Sequence, residues 1–482
     1  IVKTRLVSKE GGVQRLGRVL PVFGAGKVQL LIMSGENSSE PKILNLFIFN
    51  ASYGQKEGHE HEKILFYHPS SSDLDTQVRQ VGLAEAITRF SRTFKKDGDC
   101  EGVHTQKTRQ VFYQAEPDVW LVLTVGIGWI SKVRETGPVR EYQSEGVQDV
   151  VLRARLISLY RSFTLQHASF ASVSASAGLH SLRSTLNTFV NSYLSSVEMS
   201  GGDILAVWSG VSFLPLDRQT FLRIHCCLSL LQSSFPNISH TAFFYNHHVV
   251  WCGLGMEDLR SLSQYLNNQL LPGRLEASHQ KSSSTPTSYL ARYKIPKYKF
   301  VGIGVTPSIQ IHVCGEDGEL QSYHLLVYTL AGATVCLTLP ETETLTPSIY
   351  EKIDRLLEAK VSQLASDIGE QINKKGSAGT SCDSSSSSSF RYVYHNHMNL
   401  ATKTTVHGSN QSLPVEVMRT IGDMYTDMKK CNSGELVVKT SQDHWVVGRS
   451  GDGREFYVVV SHKNANLMKL TVCVPATSVT SS

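Results

Sequence analysis

The chain has 482 residues and a mass of 53.3 kDa, with 41% hydrophobic residues, 18% charged residues and a mean hydropathy of −0.14. These values exclude a fibrous or largely disordered protein, and no window of about 18 uncharged apolar residues is present to cross a membrane. Forty-seven basic against 42 acidic residues give +5, but the first 42 residues alone carry seven basic and three acidic side chains, which leaves a near-neutral body without the basic footprint of a nucleic-acid binder.

Residues 1–42 hold neither a period of 2 nor one of 3.6 for long and read as a disordered extension. From Ile43 the character changes: ILNLFIFN and KILFYHP (63–69) are strand-like, and the polar, Gly-containing segment between them suggests a hairpin. After Asp73, a candidate N-cap, apolar residues at Leu74, Val78, Val81, Ala84, Ile87, Phe90 and Phe94 recur every three or four positions and predict a helix packed on one sheet face. Strand-like runs follow at 109–113 and 119–125, then an edge strand at Pro138–Tyr142 and a helix from about Glu145 to Phe163.

The same order recurs at 241–254, where Asn246 and His247 mark the hairpin turn. A helix over 256–271 carries Leu259, Leu262, Leu266 and Leu270; the strands KFVGIGV, YHLLVYTL and GATVCLTLP and a long helix from Ile349 to Ile372 complete the round. After the Ser-rich stretch 374–389, a third round pairs FRYVYHNHM with LATKTTVH, places a helix at PVEVMRTIGDMY and closes with the meander ELVVKT, HWVVGR, EFYVVV and a helix at NANLMKL. Starts near 43, 241 and 390 exclude a solenoid and predict separate small domains built on mostly antiparallel sheets covered by helices. Between the first two rounds, a helix bearing Leu182, Leu186 and Phe189 and the strand-like DILAVW and VSFLPLD read as a bridge.

Chemistry-bearing groupings are few. HEHE at 59–62 lacks the helical spacing of a zinc site and reads as a solvated loop. His395 and His397 share one side of a strand and read as one exposed sheet face. GAGK at 24–27 imitates a phosphate loop, but Pro21 stands where its first Gly belongs and Val28 where Ser or Thr belongs. Nine cysteines, an odd number and mostly isolated, predict a reducing compartment, and the sequons at Asn37 and Asn237 read as chance. Without a nucleophile, base or metal grouping, the residues favour a multidomain interaction protein over a catalyst.

Seven segments, EGHEHEKILFYHP, VGLAEAITRFSRTF, HTQKTRQVF, GVSFLPLD, FFYNHHVVWCGL, HNHMNLATKTTVH and WVVGRSGDGREFYVV, together resemble the vacuolar fusion proteins of the calcium, caffeine and zinc sensitivity family. The resemblance implies an α/β (α+β) fold of three longin domains, each a five-stranded, mainly antiparallel sheet flanked by helices. It divides the chain into an extension (1–42), longin domain 1 (43–165), a helical bridge (166–237), longin domain 2 (238–373), the linker (374–389), longin domain 3 (390–472) and a tail (473–482). Residues 1–42, 127–136 and those after Leu467 depart from the family pattern, and the last departure would leave the third domain incomplete.

The resemblance further implies a heterodimer with the monensin-sensitivity vacuolar fusion protein, guanine nucleotide exchange on the late-endosomal Rab GTPase, a third regulatory subunit in animals, and a cytoplasmic protein recruited to late endosome and lysosome membranes. The alternative is a longin-type scaffold or adaptor without exchange activity. Heterodimer and GTPase contacts are expected on the first helix at Arg79, Glu85, Arg89 and Arg92, with Lys107 and Arg109 beyond it, while Leu83, Ile87 and Phe90 are read as core. Arg292, Lys294, Lys297 and Lys299, interleaved with aromatics, are candidate contacts to acidic membrane lipids. No catalytic residue, cofactor, metal or nucleic acid is expected.

Overall fold

In the strand Lys42–Asn50 (β1) alternate side chains face opposite sides of a sheet, and both sides are buried: Leu46 and Ile48 enter one core, Phe47 and Phe49 another. Cover on both faces is why this run reads as continuously apolar. β1 pairs with Ile64–His68 (β2) and, after the helix Leu74–Phe94 (α1), the strands Gly102–His104 (β3), Thr108–Glu116 (β4) and Val119–Gly126 (β5) complete an antiparallel sheet in the order β2-β1-β5-β4-β3. The computed structural model describes residues 38–94, 100–134, 137–200, 203–271, 300–301, 309–315, 318–379, 390–406, 413–431 and 434–461.

The strand expected at Pro138–Tyr142 is half of a small separate hairpin, Trp129–Arg134 (β6) with Gly137–Tyr142 (β7), in which Arg140 lies 4.4 Å from the Trp129 ring centre. Two helices follow, Asp149–His167 (α2) and Phe170–Ser196 (α3). Ser169 caps α3 by accepting from Ser172 N, and Gly178, at φ 84°, interrupts it with a kink that other residues adopt at a cost.

The helix Arg218–Ser234 (α4) leads into the second sheet. His240–Tyr245 (β8) turns at Asn246 (φ 53°) into His248–Cys252 (β9), followed by Met256–Tyr265 (α5) and one wide turn at Leu266–Leu270. Phe300–Val301 (β10) and Gln310–Cys314 (β11) both pair with Leu320–Leu330 (β12), which pairs with Ala333–Pro340 (β13), and β13 returns to β8. The helix Pro347–Gly379 (α6) runs into the stretch expected as linker. In the third sheet, Phe390–Asn396 (β14), Thr402–Thr404 (β15), Gly434–Lys439 (β16), His444–Gly451 (β17) and Arg454–Ser461 (β18) take the order β15-β14-β18-β17-β16, with Val415–Cys431 (α7) inserted after β15. The first and third sheets thus order their strands second, first, fifth, fourth, third, with one helix between the second and third strands; the second keeps this plan but has six strands instead of the expected five, because β10 and β11 both pair with β12. This is a threefold repeat of one small sandwich, as the order of apolar runs predicts.

The sandwiches do not stand apart. α2 carries buried residues all round its circumference because it serves three cores: Leu152, Leu156 and Phe163 pack on the first sheet, Leu165 on the second and Val151 with the third domain. The stretch 166–237 is likewise shared out instead of forming a bridge: α3 packs on the first sheet and α4 on the second beside α6, while Ile204 and Trp208 sit in the core of the third. DILAVW is not a strand. Asp203 accepts from Leu205 N and starts a 3-10 turn at Ile204–Val207 that drives Trp208 into the third core, where its indole N–H donates to Glu455 at 2.7 Å. VSFLPLD contributes isolated parallel bridges, Val211 to Ala401 and Phe213 to Val249, which stitch the third domain to the second. Residues 1–37 of the expected extension, most of the Ser-rich linker, the closing helix at 464–470 and the tail lie outside the described residues, whereas 38–42 are described and Lys42 already opens β1.

Candidate protein-interaction surface

α1 is a helix of 21 residues whose start is fixed by Asp73, the carboxylate of which accepts from Thr76 N at 2.9 Å; these bonds hold the Asp73 carboxyl below its ordinary range. At about 100° per residue, Val81, Ala84 and Thr88 fall on one arc, and this arc packs on Phe47, Phe49, Trp120 and Val122. The expected apolar face is only partly the buried one. Leu83, Phe90 and Phe94 lie within about 40° of one another on the opposite side of the helix, where they are 54%, 63% and 76% exposed. The reading of Leu83 and Phe90 as core is therefore corrected; Ile87 is half-buried at the margin of the stripe. Phe90 and Phe94 meet edge to face at 4.8 Å, so the stripe is preorganised.

The expected charged positions divide. Arg79 is exposed and folds back on its own helix, donating to Asp75 O and Thr76 Oγ1. Arg89 and Arg92 line a groove of about 380 Å³ between α1, Trp120 and the loop after β1. Arg92 spans that groove: it donates to Gln114 Oε1 at 2.8 Å and lies 5.3 Å from the Trp120 ring centre. Glu85 is not on the polar face as expected. It is 6% exposed and clamps Lys63 at 2.7 Å and Arg89 at 2.6 Å, so its carboxylate fastens the 3-10 turn Glu60–Lys63 to the helix. Sequence spacing misses this because Lys63 approaches from outside the helix.

Lys107 and Arg109 do not join this surface. Arg109 lies near the start of β4 and Gln114 near its end, five residues and about 17 Å away. Arg109 instead borders a depression with Ile127, Arg140 and Tyr142, toward the β6–β7 hairpin. Arg292, Lys294, Lys297 and Lys299 lie outside the described residues. His395, expected on an exposed face, is buried and bonds Thr402 Oγ1 through Nδ1 at 2.8 Å, while His397 bonds Glu455 at 2.7 Å. Of the HEHE residues, His59 pairs with Glu62 at 2.9 Å.

What this arrangement offers is a rigid helix with a solvent-facing aromatic and aliphatic ridge beside an Arg-lined groove, which are the residue types that anchor protein interfaces. Among the described helices none is long and apolar enough to cross a membrane.

Comparison with known proteins agrees with this architecture. Residues 43–168 match the family described as "First Longin domain of INTU, CCZ1 and HPS4", 238–358 that of "Intu longin-like domain 2" and 386–472 that of "Intu longin-like domain 3". The chain is 38% identical to the "Vacuolar fusion protein CCZ1 homolog" of Nematostella vectensis over 443 residues, covering 89% of this chain and 94% of that protein. The proteins of the same name from Tetraodon nigroviridis, 34% identical over 90% of this chain and 93% of theirs, and Dictyostelium discoideum, 26% identical over 89% and 95%, align over a similar span.

Proposed function

The chain belongs to the CCZ1 family of vacuolar fusion proteins, which places it in vesicle trafficking and fusion, and from that premise we propose that it is one subunit of a guanine nucleotide exchange factor for the late-endosomal Rab GTPase. Its partner in this reading is the monensin-sensitivity vacuolar fusion protein, a second three-longin chain, joined in animals by a regulatory subunit. The complex works at late endosome and lysosome membranes, in endosome maturation, lysosomal fusion and autophagy, with acidic lipids aiding recruitment.

The observation that carries the proposal is the uncovered ridge of Leu83, Phe90 and Phe94 on the first domain. A single chain leaves this ridge in water, and a partner longin domain or the GTPase supplies the missing cover. Exchange then needs no covalent chemistry and no catalytic residue. A factor that binds the nucleotide-free GTPase more tightly than the loaded form must weaken nucleotide binding by the same factor, because the coupling is reciprocal.

The test is reconstitution. Purified chain, partner and Rab loaded with labelled GDP are mixed singly and together. Release that requires both longin chains supports an exchange subunit, whereas binding of the GTPase without faster release leaves a scaffold.

A further inference from the structure

Where the three domains meet, α2, α5, β14 and α7 border a solvent-open cavity of about 570 Å³, a volume typical of small-molecule sites. Five cations line it: Arg153 and Arg161 from the first domain, Arg260 from the second, and Lys429 and Lys430 from the third. The carboxylates on its wall are fewer and already engaged. Glu101 holds Arg153 at 2.6 Å, Asp149 is bound to His104, and Glu257, itself 62% exposed, is shared by Arg161 and Arg260.

Arg260 is the group that needs explaining. It is 6% exposed, and its buried Nε has no hydrogen-bond partner. A buried guanidinium with an unused donor is costly to hold, and a water or ion from outside the chain is one way such a group is completed. Lys429 adds to the excess: its ammonium sits 4.5 Å from the Tyr425 ring centre, and burial pulls its pKa down. Arg161 and Arg260 converge on the one Glu257 carboxylate, and burial, with the neighbouring Arg260, lowers the pKa of Arg161.

We propose that this cavity binds a small, multiply charged phosphate ester, whose oxygens accept from Arg161, Arg260 and Lys429 and so tie the three longin domains together. Guanidinium forks converging from different elements match the several acceptors of a phosphate better than the single plane of a carboxylate. The chemistry is shared by soluble polyphosphorylated compounds and by phosphorylated lipid headgroups.

The full chain is titrated with inositol hexakisphosphate and with inorganic phosphate, reading heat and melting temperature, and is sedimented with phosphatidylcholine vesicles carrying a phosphatidylinositol phosphate. Binding should raise the melting temperature, and Arg260→Gln and Lys429→Gln should each weaken it about tenfold to hundredfold. Arg355→Gln, at an exposed site on α6, should bind as the parent does. Vesicle binding that falls with the cavity variants identifies a lipid headgroup as the source; soluble binding alone identifies a free phosphate ester. Should Arg260→Gln fail to fold, the less enclosed Lys429→Gln decides. No stabilisation by any of these probes, or binding unchanged in the cavity variants, overturns the proposal.

Discussion

Replacing Phe90 and Phe94 by Gln separates the two roles a helix can have, because these rings lie outside the domain's own core and, in the proposed complex, inside an interface. A phenylalanine buries about 150–250 Å² when covered. At 63% and 76% exposure, covering both rings removes about 280 Å² from water, worth about 7 kcal/mol before the cost of association and ordering. Phe90 alone accounts for about 125 Å², or about 3 kcal/mol, which corresponds to about a hundredfold in affinity. Gln is a good helix former, so the folded chain should change by less than about 0.5 kcal/mol. The assay pairs urea denaturation of the chain alone with titration calorimetry against its longin partner, using Phe90→Gln and the double variant. Unchanged denaturation with affinity reduced about a hundredfold or more is the expected result. Full affinity together with a destabilised chain would place the rings in the fold and refute the argument.

Trp208→Ala should lower stability by about 3–5 kcal/mol in urea, since the indole is buried against Tyr425 and Tyr457 and its loss strips a donor from Glu455. Arg183→Gln removes bonds from the guanidinium to Glu62 O and Ile64 O and should cost about 1.5–3 kcal/mol, seen also as faster amide exchange over 60–65. Burial pulls the His395 pKa down to about 4, with the neighbouring His397 acting in the same direction. The unfolded chain takes up this proton near pH 6.5 and the folded one does not, so stability should fall as pH drops from about 6.5 to about 4, by up to about 3 kcal/mol from this residue. The half-buried His167, His240, His248 and His312 add in the same sense. Urea midpoints measured across that range should show a shallower slope for His395→Asn, and an identical slope would refute the assignment.

The architecture of the first two domains was open to reading because both faces of their sheets are covered, which writes each central strand as an unbroken apolar run followed by a periodic helix. Which arc of a helix faces inward was not. α1 is apolar on two sides, and spacing alone cannot tell the arc holding Val81, Ala84 and Thr88 from the one holding Leu83, Phe90 and Phe94. Burial of Glu85 and His395 escaped for a related reason: their partners, Lys63 and Thr402, lie on other elements and are brought in by tertiary packing and by strand pairing. DILAVW has a strand's composition, yet the capping carboxylate of Asp203 and the demand of the third core for Trp208 select a 3-10 turn. The Arg-lined cavity needs three domains at once, and its members, from Arg153 to Lys430, are spread over nearly 280 positions.

The central claim is that this chain acts by completing a two-subunit surface that loosens nucleotide from a GTPase. Stopped-flow release of fluorescent GDP from the late-endosomal Rab tests it most directly, with this chain, its longin partner, or both. The account predicts release at the intrinsic rate with either chain alone, acceleration with the pair, and loss of that acceleration when Phe90 and Phe94 are changed to Gln. Acceleration by one chain alone, or a pair that binds the GTPase and leaves the release rate untouched, would contradict it.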